Sequence, residues 1–84
     1  MAHNFTATTT AATLTQNQFL DKRFNQIWIQ NRGASGLFIG INEVATTDKL
    51  YIPAGETLVY PNVDTSTISI LAEAGTVALV TQTF

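Results

Sequence analysis

The sequence has no cysteine and one histidine, which excludes a disulfide framework and argues against a structural zinc site. Charge is scarce as well, at 12% of the 84 residues, where an ordinary soluble domain carries roughly 25%. Four Lys and Arg against six Asp and Glu leave a formal net charge of -2. No basic field is available to gather a polyanion, so nucleic acid is excluded as the main partner. No apolar run approaches bilayer length, and Met1-Ala2-His3-Asn4 lacks the positive start of a signal peptide. The chain is therefore expected to be made in the cytoplasm and used there, or assembled there into something larger, with no membrane partner. A domain of this size buries only about 60% of its unfolded surface. That supports one modest core, and with disulfides and zinc set aside, partner subunits are the remaining common source of stability.

What the chain does have is threonine, 14 residues of it, with frequent Val and Ile. Such β-branched side chains are stiff at χ1 and fit a pleated surface better than a helix. The chain reads as all-β, a small antiparallel β-sandwich or jelly-roll-like barrel with an extended N-terminal arm. Residues 1–20 contain no charged side chain, and Thr6 to Thr13 is a low-complexity Thr/Ala run. Too few large apolar groups are present there to offset ordering entropy, so the segment is expected to be an arm unless another surface holds it. A short strand is expected within it near Thr13 to Gln18, and residues 21–84 are expected to form a single sandwich domain.

From Phe24 onward, apolar alternation becomes regular. Ile27 and Ile29 share one strand face, and Gln26, Trp28 and Gln30 the other. Asn31-Arg32-Gly33-Ala34-Ser35-Gly36 supplies turn chemistry before the apolar run Leu37 to Ile41, and the two segments are expected to make a hairpin. Asn42 to Lys49 reads as a loop containing at most one short strand. Leu50-Tyr51-Ile52 stops at Pro53, and Ala54-Gly55-Glu56 turns into Thr57 to Tyr60. Ile68, Ile70 and Leu71 carry the next strand. Val77, Leu79 and Thr81 then alternate against Ala78, Val80 and Gln82 up to Phe84. Six or seven strands at this spacing fit a sandwich or barrel, which hides the apolar faces a single sheet would leave wet.

The residues offer little catalytic equipment. Asp21, Glu43, Asp48, Glu56, Asp64 and Glu73 fall at or near turns, where solvated charge belongs. A two-carboxylate hydrolase needs its pair about 5–9 Å apart in a cleft that so small a domain hardly provides. Asn42, Glu43 and Asp48 could offer calcium oxygen ligands from one loop, but without EF-hand spacing. His3 has no nucleophile or carboxylate near it in sequence, and Ser35, Ser66 and Ser69 read as turn or strand residues. Gly33 and Gly36 are turn glycines, since no helix follows to complete a phosphate loop. Lys22, Arg23 and Arg32 form the one cluster of positive charge. No cofactor is implied. Trp28 keeps three readings: a core residue, a subunit contact, or a platform for stacking a sugar. Tyr51 and Tyr60 share this ambiguity.

The order Arg23-Phe24-Asn25-Gln26-Ile27-Trp28-Ile29-Gln30-Asn31-Arg32-Gly33, then Leu37-Phe38-Ile39-Gly40, then Leu50-Tyr51-Ile52-Pro53-Ala54-Gly55-Glu56-Thr57 resembles a pattern in small tailed-bacteriophage proteins. A strand ends in Gln-Asn-x-Gly, a second ends in Gly, and a Pro-Ala-Gly-Glu turn follows. A closing strand pair, Ile68 to Leu71 and Val77 to Val80, completes the resemblance over residues 22–81. It implies a non-enzymatic virion protein of the capsid decoration or cement type, a small sandwich often trimeric on the shell. The expected partners are copies of itself and the major capsid protein or another virion protein. The expected location is the virion, assembled in the host cytoplasm. On this reading Thr8, Thr10, Leu14, Phe19, Lys22, Arg23 and Arg32 are candidates for capsid contact, the arm pairing through its backbone. Trp28, Tyr51 and Phe84 are candidates for the oligomer interface. The alternative is a tail or fibre-adaptor module that contacts a receptor glycan.

Overall fold

The computed structural model describes residues 2–19, 26–61 and 65–84. Lys22 and Arg23, with Asp21 and Asp64, lie outside the described residues. Alternation converts into strands wherever it was legible, and the elements in chain order are β1 (Ala2–Ala7), β2 (Ala12–Thr15), α1 (Gln16–Phe19), β3 (Gln26–Asn31), β4 (Leu37–Ile41), β5 (Leu50–Ile52), β6 (Thr57–Pro61), β7 (Thr67–Ala72) and β8 (Val77–Thr83). They form two four-stranded sheets, a front sheet ordered β1-β8-β3-β6 and a back sheet ordered β2-β7-β4-β5. Every pairing is antiparallel. This interleaving of eight strands is the connectivity of a jelly roll, in which two sheets close over one core.

The inward residues come from both sheets in strict alternation. Ile27, Ile29, Val77 and Leu79 point in from the front sheet, and Leu37, Ile39, Ile52, Ile68 and Ile70 from the back, all buried. At roughly 1.5–3 kcal/mol for each large aliphatic side chain removed from water, this layer is the main favourable term of the fold.

Three expectations change. The segment expected to be a free arm is held by the sandwich itself, as strands at Ala2–Ala7 and Ala12–Thr15. β1 pairs with β8 from Ala2↔Gln82 to Ala7↔Val77, and β2 pairs with β7. Ala7, Leu14 and Phe19 are buried, and Phe5 packs against the core. A strand at a sheet edge gains a full row of backbone hydrogen bonds for few apolar anchors, and alternate inward residues suffice. Leu14 and Phe19 are thus spent in the core and cannot serve as capsid contacts. Second, the strand expected over Thr13 to Gln18 ends at Thr15 and a single helical turn follows. The Gln18 side chain turns back to accept the Thr15 backbone N–H at 2.9 Å, half of a Thr-x-x-Gln capping box. Third, β3 and β4 are not a hairpin. They lie in different sheets, so Asn31 to Gly36 is a crossing between layers rather than a turn within one. The loop from Asn42 to Lys49 contains no strand; it folds back over the outside of β4.

Candidate binding faces

The register of the front sheet decides which side chains share its outer face. Trp28 stands between Gln82 of β8 and Val59 of β6, and Gln30 stands between Val80 and Thr57 in the next row. With Ile27 and Ile29 fully buried, pleating sends Trp28 outward, where it remains 41% exposed. This settles the tryptophan as a surface residue. Its indole Nε1–H donates to Gln26 Oε1. The Phe84 ring lies 5.1 Å from the indole in a tilted arrangement, placed there because Phe84 and Gln26 exchange backbone hydrogen bonds of 3.0 and 3.2 Å.

Beside the indole lies a depression of about 250 Å³, bounded by Trp28, Gln30, Arg32, Thr57, Val80 and Gln82. Val80 is 9% exposed. Arg32 Nε donates to Gln30 Oε1 at 2.7 Å, which orients the guanidinium along the depression.

The outer face of the back sheet is built differently. Tyr51 and Phe38, opposite each other in register, have ring centroids 5.1 Å apart. The Tyr51 hydroxyl donates to Glu73 Oε1 at 2.9 Å, and the same oxygen accepts the Gly36 N–H at 3.2 Å. The bond to Glu73 raises the tyrosine's pKa above its ordinary value. A Cβ at Gly36 would sit 2.1 Å from the phenol oxygen, so a larger residue there displaces the Tyr51 ring from this position. Further along the face, the loop after β4 crosses Gly40 so closely that a Cβ would meet Glu43 O at 2.3 Å. Asn42 takes a left-handed φ of +57°, and its Oδ1 accepts the backbone N–H of Ser66 at 2.7 Å and of Thr67 at 3.1 Å. The Ala45 N–H donates to the buried Ser69 Oγ at 2.9 Å. Val44 is left at the surface, 61% exposed, and Leu50 and Tyr51 are exposed on β5.

The candidate oligomer residues therefore separate. Trp28 and Phe84 belong to the front face, Tyr51 to the back. Of the basic cluster, Arg32 is the described member, and it joins Trp28. Thr8 and Thr10 are exposed in the connection from β1 to β2, where the Thr10 N–H donates to Thr8 Oγ1 at 3.3 Å. The oxygen ligands imagined for calcium diverge: Asn42 Oδ1 is taken by β7, and Glu43 pairs with Lys49 at 2.9 Å. Among the described residues no three His, Cys, Asp or Glu converge on a metal position. Thr57, Val59 and Gln82 were missed as site residues. The alternation of Thr57 and Val59 against Leu58 and Tyr60 carried the signal, but only the register with β3 brings them to Trp28.

Asn31, at the end of β3, ties the two sheets together beneath both faces. Its Nδ2 donates to Ser35 O at 2.8 Å and to Ile52 O at 2.9 Å, and its Oδ1 accepts the Gly33 N–H at 2.8 Å. Its backbone exchanges bonds with Glu56 O and the Gly55 N–H. The Pro53-Ala54-Gly55-Glu56 turn that presents those groups has Gly55 at φ +81° and a 3.1 Å bond from the Glu56 N–H to Pro53 O, a type II turn.

No protein-family model and no curated protein matches the sequence. Among solved structures, PirA is similar in fold, with a TM-score of 0.65 over 99% of this chain and 93% of PirA, at 13% identity. A chain from the disulfide-linked pili of Bacillus endospore appendages aligns over 100% of this chain and 84% of its own, with a TM-score of 0.49 and 19% identity. At 13% identity the likeness to PirA establishes a shared sandwich and carries no activity with it.

Proposed function

We propose that the chain is a non-enzymatic structural protein of a virus particle, of the capsid decoration type, and that it works as a two-sided adaptor. The observation that carries this reading is the division of the large exposed apolar side chains. Val44 and Tyr51 lie on the back face, with Leu50 exposed at the end of β5 beside it, and Trp28, Val59 and Phe84 lie on the front face. Exposed apolar patches on a small domain mark contact surfaces, and two of them on opposite faces suit a piece held between partners. The back face is the one for the shell and for neighbouring copies in a trimer. Its Tyr51 ring is already braced by Phe38, Gly36 and Glu73, so little side-chain entropy is lost on contact. The likeness of the strand and turn order to decoration proteins supports the viral setting.

The test is co-sedimentation with purified capsids that lack the protein, with oligomeric mass read by light scattering. The wild type sediments with capsids, and Tyr51→Ser weakens binding about thirtyfold, the effect of losing an aromatic anchor worth about 2 kcal/mol. Failure of the wild type to associate with any capsid, or full affinity after Tyr51→Ser and Leu50→Ser together, overturns the assignment.

A further inference from the structure

The front face differs from an ordinary apolar contact because its aromatic group stands at the rim of a polar depression. Around Trp28, the lining supplies a hydroxyl from Thr57, amides from Gln30 and Gln82 and the guanidinium of Arg32, over Val80. Among the described residues no carboxylate belongs to the lining. Gln30 Oε1 is already occupied by Arg32 Nε, which leaves the Gln30 amide free to act as a donor. The Arg32 Nη atoms form no hydrogen bond or ion pair with any described residue. Among the described residues the depression is therefore rich in donors and carries one positive charge that no carboxylate offsets. At about 250 Å³ it is smaller than the roughly 300–1,000 Å³ of pockets that enclose drug-sized molecules, a size for a single ring.

These features define the ligand by its chemistry. An exposed indole offers a flat apolar surface with a negative π face, to which the polarised C–H groups of a pyranose are attracted. Amides and a hydroxyl around it match a ring of sugar hydroxyls. A free guanidinium binds a carboxylate through paired, charge-assisted hydrogen bonds. We propose that the depression beside Trp28 binds an acidic pyranose, with the sugar ring stacked on the indole and its carboxylate held by Arg32. This rests on the two-sided reading, which leaves the front face free while the back face is seated. A second protein copy suits this face less well, because the donors of Arg32, Gln30 and Gln82 would have to be matched or left unpaired beneath it.

Trp28 is the only tryptophan, so its fluorescence reports on the site directly. The intact protein is titrated with methyl β-D-glucuronide and, as a matched neutral control, methyl β-D-glucoside, with amide NMR shifts recorded in parallel. The glucuronide is expected to change Trp28 emission and to shift the amides of Gln30, Thr57 and Gln82. Its dissociation constant is expected to be on the order of 1 mM, as befits a ligand of one sugar ring, with the glucoside at least tenfold weaker. Arg32→Gln, which changes an exposed side chain and keeps the backbone bond to Ala78 O, is expected to erase the difference between the two sugars. Trp28→Ala is expected to abolish the amide shifts while the rest of the NMR spectrum is kept. Equal binding of both sugars overturns the carboxylate assignment. Absence of any shift, or self-association that depends on Trp28 in place of sugar binding, overturns the site. Capsid co-sedimentation of the wild-type protein in saturating methyl β-D-glucuronide, expected to be unchanged, separates these failures from a failure of the two-sided reading.

Discussion

Asn31 shows how one polar side chain can be both buried and indispensable. All three of its side-chain bonds reach backbone groups, at Gly33, Ser35 and Ile52, so replacing it strands several partners at once. Asn31→Ala is expected to cost about 2–4 kcal/mol, read as a lower urea midpoint with an unchanged slope. Asn31→Asp is expected to be no milder, since it sets a carboxylate oxygen against the Ser35 and Ile52 carbonyls. The sequence displays half of this: Asn31 two residues before Gly33 reads as turn chemistry, whereas its bond to Ile52 O spans 21 residues and leaves no local trace. Tyr51 illustrates a different effect. Glu73 accepts a hydrogen bond from its protonated hydroxyl and so disfavours ionisation, which places its pKa above the ordinary 10.0 of a tyrosine. The stability this bond adds is complete below pH 10 and is lost as pH rises through the raised value. A stability profile over the alkaline range is expected to fall for the wild type and to lose that component in Tyr51→Phe.

Among the elements, β1 has the least sequence signal and an important position. Its residues pair with β8 along the whole strand, and Ala7 is completely buried. Removing residues 1–8 is therefore expected to uncover the edge of β8 and destabilise the fold by about 3 kcal/mol or more. Thermal melting of the truncated chain checks this; an unchanged midpoint would mean that β1 is not part of the stable sandwich in solution. Strands whose inward positions hold Ile, Leu or Val, such as β3, β7 and β8, were legible because their period of two is written in large side chains. β1 was not, since its inward set His3, Phe5 and Ala7 holds a single large apolar side chain. The error at β3 and β4 has another cause. Asn, Gly and Ser permit a change of direction without stating whether the next strand pairs with the last one or crosses to the opposite sheet, and that choice is made by the partners β8 and β7.

For the molecule as a whole, the all-β class and the enclosed core were readable from composition and alternation, while the two-faced surface was readable only in fragments. Trp28 stood opposite Ile27 and Ile29 in the sequence, but its meeting with Phe84 and with Thr57 depends on neighbours drawn from across the chain. A sandwich with extents of 33 × 22 × 18 Å has hardly any interior to spare, so most of its chemistry is displayed on the two broad sides. The pairing of β1 with β8 has a further consequence during biosynthesis. Ala2 meets Gln82, and β8 also separates β1 from β3 within the front sheet. A ribosome making this polypeptide must deliver β8 before β1 acquires its neighbour. Until then the early segments wait unpaired, and closure of the sandwich becomes a slow, late event governed by long-range encounter rather than by local turns.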